Sequence, residues 1–338
     1  AMSKKTLIIV LLSCAVLLGA TAYGSWHQFY GDAVPERFIV RIGSDADYRE
    51  LEDTLMRGMR HRRAFRFYAD RIGLEKGFKP GNYEVREGMT AIEVARMFKL
   101  GKQRPVQVTL NNIRTKEQLA ARLARQLEAD SAAWMEAFRS PEVLDELNLD
   151  TLSVFMIFLP DTYEAYWTES PRDFILRMRH NYNNFWYMKR DKALLRTRLT
   201  RDEAMVLASI VTEETNKKDE MPRIAGVYIN RLRKGMPLQA DPTVKYALRD
   251  FGLRRILYKH LKTPSPYNTY INKGLPPSVI CMPELAAIDA VLLYEEHDYL
   301  YFCARPTFDG YHNFARTLAE HNANARAYSH ALNERKIR

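Results

Sequence analysis

Leu7 to Tyr23 reads LIIVLLSCAVLLGATAY, seventeen residues without a charge, and Lys4 and Lys5 stand immediately before it. No other feature restricts the chain as much. A helix needs ~17–25 such residues to cross a bilayer, so the run is just long enough. Basic residues on its N-terminal side hold that side in the cytoplasm and send everything after Ser25 outward. Residues 1–25 are therefore expected to form an uncleaved single-pass anchor in the cytoplasmic (inner) membrane. Two readings compete with it. A signal peptide would be cut at a small-x-small site within Gly19-Ala20-Thr21-Ala22. A lipoprotein would use Leu11-Leu12-Ser13-Cys14, although the apolar run continues past Cys14. All three export the bulk of the chain. Ala1 ahead of Met2 reads as a cloning remnant and carries no weight.

Export gives the charge its meaning. Lysine and arginine number 51 against 41 acidic residues, a net charge of +10. Such a balance favours polyanionic partners, and outside the cytoplasm nucleic acid drops out, leaving anionic lipid and acidic wall polymer. With 15 Gly and 15 Pro in 338 residues, collagen-like and low-complexity classes are excluded. The length allows about two domains with cores of their own. The cysteines Cys14, Cys281 and Cys303 are too few for a disulfide scaffold or a Cys-rich zinc module. Cys281 and Cys303 each lie in an apolar stretch and read as free and buried.

After the anchor, residues 32–112 alternate short strands with helices. Arg37 to Ile42 has strand composition, Tyr48 to Met56 and Ala64 to Ile72 have helical spacing, and Lys79-Pro80-Gly81-Asn82 is a turn ahead of the strand Tyr83 to Val85. A helix over Thr90 to Leu100 stops at Gly101, and Val106 to Leu110 is a further strand. No residue in this small α+β module points to catalysis. Residues 113–338 carry longer helices. Ser170-Pro171 starts one, with Phe174, Met178, Tyr182 and Phe185 along one face as core. The whole is an α+β chain: a transmembrane helix, a small module, and a larger, mostly helical α+β domain.

Thr200-Arg201-Asp202-Glu203 is a capping box and opens the most informative helix. Ala204, Leu207, Ala208 and Val211 define its buried stripe at 100° per residue. On that wheel Glu214 falls beside the stripe and Glu213 opposite it, toward solvent. A carboxyl at an apolar boundary has its charged form disfavoured and its pKa raised, as a general acid near neutral pH requires. The competing reading is a boundary glutamate paired with a base such as Arg231. Glu220-Met221-Pro222-Arg223 opens the next helix, which Lys234-Gly235 stops, with Asn230 and Arg231 near its end, either as binding groups or as packing and helix-end residues. In Leu238 to Thr243, Asp241 is expected to N-cap a short helix with Pro242 at its first position. Ser265 to Pro277 is a long loop dense in Tyr, Asn and Thr, types that suit sugar rings, hydroxyls and acetamido groups.

These stretches resemble a known family. LASIVTEET (207–215), VYINRL (227–232), LQADPTVKYAL (238–248), SPYNTYINKGLPP (265–277), YLYF (299–302) and HNFARTLAEHNAN (312–324) occur in the order and spacing of MltG-type (YceG-like) endolytic murein transglycosylases. LPDTY (159–163) and FKPGNYEVREGMTAIEVARMFKLGK (78–102) are similar too, the second to that family's LysM-like module. The resemblance implies a lyase that cuts between N-acetylmuramic acid and N-acetylglucosamine within nascent peptidoglycan strands and leaves 1,6-anhydromuramoyl ends. It implies Glu214 as the single general acid and base, with no metal and no cofactor. Gln239, Asp241, Tyr267, Asn268 and Thr269 are the candidates for orienting the sugar, followed by Asn230 and Arg231. A penicillin-binding synthase and the elongation or division machinery are expected as partners from the resemblance alone.

The sequence departs from the family twice. Thr212 stands where a first glutamate is usual, and Phe155-Met156-Ile157 stands where a Glu-Gly pair is common. The first departure is the support for an alternative, an inactive peptidoglycan-binding protein of the same fold. A zinc hydrolase using His312, Glu320 and His321 is a third class. Glu320 reads better as the last member of a capping box begun by Thr317, and the two histidines lack zincin spacing.

Overall fold

A computed structural model describes residues 3–253 and 255–334; Ala1, Met2 and the last four positions of the 113–338 range lie outside the described residues. Helix α1 runs Lys4–Tyr30, its first turn capped by Ser3, whose hydroxyl accepts the Thr6 N–H. It outlasts the apolar run Leu7 to Tyr23 because Gly24 to Tyr30 contains no proline, and it stops at Gly31. Among the described residues it is the one helix long and apolar enough to cross a membrane. Its 27 residues rise about 40 Å.

The chain forms two compact units, Ala1–Val108 with Arg125–Ala129 and Tyr163–Glu169, and Thr109–Ala124 with Asp130–Thr162 and Ser170–Arg338. In the first, β1 (Phe38–Ile42), α2 (Tyr48–Gly58), α3 (Arg62–Arg71), β2 (Gly81–Val85) and α4 (Ala91–Leu100) follow in order. β1 pairs antiparallel with β2, Val40 opposite Tyr83. Alternation sends Val40 and Ile42 inward onto Leu51, Leu55, Phe65 and Phe98. Tyr83 lies 4.3 Å from the Phe98 ring and hands its buried hydroxyl proton to the Lys79 carbonyl. A Thr90–Glu93 capping box starts α4, and Gly101 ends it at φ 68°, a left-handed conformation that side chains resist.

β3 (Val106–Leu110) leads into α5 (Lys116–Ala124), α6 (Ser131–Ala137), α7 (Pro141–Leu147) and β4 (Asp161–Ala165), which pairs with β3. Then come α8 (Pro171–Trp186), α9 (Lys189–Leu194), α10 (Arg201–Glu214), α11 (Met221–Arg233), α12 (Asp241–Leu248), α13 (Leu285–Leu292), the hairpin β5 (Tyr301–Ala304) and β6 (His312–Ala315), and α14 (Leu318–Glu334). Ser170 caps α8 with proline in the first turn, as the sequence predicts. The α8 stripe differs at one position: Trp186, not Phe185, is buried, because the Phe185 ring turns out beneath the Arg190 guanidinium. Phe155, Met156 and Ile157 are core residues.

The capping box of α10 forms as read, Thr200 and Glu203 exchanging hydrogen bonds. Its buried surface is wider than a stripe: every residue from Ala204 to Val211 is inside. The helix is the centre of its unit, covered by α11, α12 and α13. One polar side chain is buried with it. Ser209 donates to the Val206 carbonyl (2.7 Å) and accepts the Ile280 N–H (3.1 Å), fixing the segment ahead of α13. Ser209→Ala strands the Ile280 N–H without water, a loss of about 1–3 kcal/mol. Urea unfolding should show a lowered midpoint with an unchanged slope.

Candidate active site

α10 ends on Glu214, half-buried, at a helix C-terminus where carbonyl dipoles already disfavour negative charge. Its Oε1 accepts the hydroxyl proton of Tyr228 on α11 at 2.5 Å. Loss of water pushes the Glu214 carboxyl up to about 7; the Tyr228 hydrogen bond and Lys245 act against this, and Asp241 and Glu213 add to it. Glu214 opens into a cavity of about 500 Å³ lined also by Tyr228, Arg231, Gln239, Asp241, Tyr270, β5, His312 and His321. A second recess, of about 680 Å³, contains Glu213, Asn216, Lys217, Arg305 and Tyr311 and shares Glu214, Ala304, His312 and Tyr328 with the first. Glu214 thus stands where two recesses meet.

Glu213 is not on an open face. Its carboxylate forms a two-point ion pair with Arg114, each hydrogen bond 3.1 Å, and its side chain is 23% exposed. Helical phase correctly turned it away from Glu214, but the segment around Arg114 covers what the wheel treated as solvent. Thr212 donates to the Ala208 carbonyl (2.9 Å) and accepts the Glu284 N–H (3.0 Å). A hydroxyl there ties α10 to the start of α13.

Arg231 is 7% exposed and does not pair with Glu214. Its guanidinium binds the carbonyls of Leu300 (2.6 Å), Pro237 (3.1 Å) and Leu238 (2.8 Å), and Gln239 Oε1 at 3.3 Å. Asn230 binds the carbonyls of His297 (2.6 Å) and Tyr299 (3.1 Å). Both therefore clamp the 297–300 segment that leads into β5. Gly226 lets that segment approach, since a Cβ there would lie 2.5 Å from the Glu295 carbonyl oxygen.

Gln239 and Asp241 reach the cavity. Gln239 holds a left-handed φ of 51° while its N–H donates to the Thr269 carbonyl, a strained conformation fixed by its neighbours. The cap of α12 is Ala240 rather than Asp241, which is the first helical residue. The Asp241 carboxylate, released from capping, accepts the Tyr270 hydroxyl proton at 2.6 Å. Tyr267, Asn268 and Thr269 do not line the cavity. Asn268 is buried on the Leu261 and Thr263 carbonyls, Thr269 caps the Ala240 N–H, and Tyr267 packs on Tyr246 at 4.7 Å. They build the loop that presents Tyr270.

Sequence reasoning missed Tyr228, Tyr270 and the pair Glu220–His312. Glu220, 3% exposed, accepts both the His312 backbone N–H (2.9 Å) and its Nδ1 (2.7 Å), and so fixes the ring at the junction of the recesses. The HNF motif was the available signal for His312; Tyr228 sits in an apolar helical row and gave none. Glu320 accepts the N–H of Arg316 and Thr317 at the start of α14. Among the described residues no three His, Cys, Asp or Glu side chains gather to hold a metal. Cys281 and Cys303 are both free, the first buried and the second half-buried.

The model of the YceG-like family matches residues 40–327. A Bacillus subtilis protein named endolytic murein transglycosylase is 28% identical over 81% of this chain and 79% of its own. Two Streptococcus pneumoniae proteins of the same name are 26% and 27% identical over 95% of this chain, a span that takes in only 64% of theirs. The 2.6 Å crystal structure of a YceG-like protein from Listeria monocytogenes superposes with a TM-score of 0.58, at 27% identity, over 85% of this chain and 98% of that one.

The raised carboxyl has a consequence for stability. Glu214 binds its proton more tightly folded, near 7, than unfolded, near 4.5, so folding is progressively penalised as pH rises through that interval. Glu214→Gln removes the penalty, which is at most about 3 kcal/mol. Urea titrations at pH 5 and pH 8 should show the variant gaining on the wild type at the higher pH; a pH-independent difference would mean that the carboxyl titrates as in water.

Proposed function

This chain belongs to the YceG-like family, and on that premise we propose that it is an endolytic murein transglycosylase in which Glu214 is the general acid and base. The observation that carries the proposal is a carboxyl held near neutral pKa where two recesses meet, with room on both sides for a strand entered between its ends. Protonated Glu214 donates to the oxygen joining N-acetylmuramic acid to N-acetylglucosamine as that bond breaks. The carboxylate then takes the proton of the muramoyl C6 hydroxyl, whose oxygen attacks the anomeric carbon. The acid is regenerated, and one product ends in a 1,6-anhydro ring. Tyr228, donating to Oε1, leaves Oε2 to carry the proton.

Gln239, Asp241, Arg231, Tyr270 and His312 are the groups available to the sugar; Tyr267, Asn268, Thr269 and Asn230 act through the loops they hold. The proposal extends to division of labour. Residues 32–112, with their likeness to a LysM-like module, hold the enzyme on the wall, and residues 113–338 cut. Helix α1 anchors it in the cytoplasmic membrane with both parts outside, beside a penicillin-binding synthase. The same-fold alternative, binding without cutting, keeps Glu214 as a hydrogen-bonding group only. Its support is Thr212, but that hydroxyl has a structural task of its own.

Mass spectrometry of products from purified glycan strands separates the readings. Anhydro ends are expected; reducing ends would identify a hydrolase, and intact strands a binding protein. Glu214→Gln should lose ~10²–10⁴-fold in rate, while Glu213→Gln, keeping one hydrogen bond to Arg114, should stay within about threefold of wild type. Turnover should fall as pH rises through about 7, where the acid proton is lost. A chelator should leave it unchanged.

A further inference from the structure

The stretch Thr54 to Ala69 contains five arginines and no acidic residue. Arg57, Arg60, Arg62, Arg63 and Arg66 are all exposed, at the end of α2, in the connection that follows it and along α3. Arg66 is paired with Glu52; among the described residues no acid lies within ion-pair reach of the other four. A field of this density on one short surface repels itself, and a polyanion relieves it.

Its place in the fold says which polyanion. The last turns of α1 carry an exposed aromatic ladder, Tyr23, Trp26 and Tyr30, with Trp26 6.2 Å from Tyr23 and 5.9 Å from Tyr30. Tyrosine and tryptophan gather at headgroup level. The arginine surface is joined to these same turns. His27 meets His61 edge-on at 5.3 Å, Phe29 meets Phe67 at 5.6 Å, and the Arg60 N–H donates to the Ala33 carbonyl at 2.7 Å. Phe67 is 60% exposed beside them, an apolar side chain against the last turn of α1. The first compact unit therefore presents this arginine cluster where its apolar helix ends.

We propose that Arg57, Arg60, Arg62 and Arg63 dock on the phosphate headgroups of anionic phospholipids in the leaflet from which α1 emerges. This rests on reading α1 as a membrane anchor. The contact sets the small unit flat against the bilayer instead of leaving it free on a tether, and so holds it at the level where new strands appear.

The test uses the full chain reconstituted in phosphatidylcholine vesicles containing phosphatidylglycerol, with brominated chains on one lipid or the other to quench Trp26. A Trp26→Phe variant supplies the background of the remaining tryptophans. Trp26 should select phosphatidylglycerol over phosphatidylcholine by about fivefold or more, as one or more surface cations beside an anionic leaflet require. The preference should fall toward unity in Arg60→Gln/Arg62→Gln/Arg63→Gln and, in the unaltered chain, at ~0.5 M salt, where exposed charges are screened. Equal quenching by both lipids in the unaltered chain would overturn the docking while leaving the anchor intact, as would a preference that survives the triple substitution. No quenching by either lipid would overturn the anchor itself, and the docking with it.

Discussion

The site depends on one contact, the Tyr228 hydroxyl on a Glu214 carboxyl that has been taken out of water. Desolvation and a helix C-terminus both favour the protonated acid. A hydrogen bond from Tyr228 opposes them, and the net result is a carboxyl pushed up to about 7. The proposed role needs that position: an acid with the pKa of free glutamate would hold almost no proton at pH 7, and one raised by several units more could not return it. The balance requires that both helices be immobile. α10 is buried on all sides for eight residues, and α11 is clamped to the strand beyond it.

The clamp explains why one short motif carries so many different residue types. Within VYINRL, Val227 is core, Tyr228 faces Glu214, and Asn230 and Arg231 collect the carbonyls of the segment leading into β5. The guanidinium also reaches Gln239, so the same side chain ties the hairpin wall of the cavity to the wall that begins α12. Thr269 and Thr243 close that second wall from beneath, hydroxyl to hydroxyl at 2.9 Å. The cavity is thus walled by backbone fixed through buried side chains, and few of its groups rest on solvent-facing loops alone.

Local signals in the sequence were legible because their physics is local. The capping boxes at Thr200 and Thr317, the Ser170-Pro171 start and the Gly101 stop all appear where hydrogen-bonding geometry demands. Helical phase separated Glu214 from Glu213 correctly, but it could not show that Arg114, 99 residues away, waits on the far face. The same blindness hid Tyr228, an aromatic residue at a core position whose polar end finds a carboxyl. In the loop from Ser265, Asn268 and Thr269 turn inward for another reason. Amides and hydroxyls suited to sugars are equally suited to stray backbone carbonyls, and inside a proline-rich loop the carbonyls win. Domain assignment had a similar limit, since Arg125–Ala129 and Tyr163–Glu169 join the first unit through contacts that no local pattern announces.

What most directly tests the account is the ionisation of Glu214 itself. The folded protein, labelled with ¹³C at glutamate carboxyls and assigned by comparison with Glu214→Gln, should show one resonance titrating with a midpoint of about 7. A midpoint near the 4.5 of a solvated glutamate would contradict the account, because the carboxyl would then be an exposed anion with no proton to give.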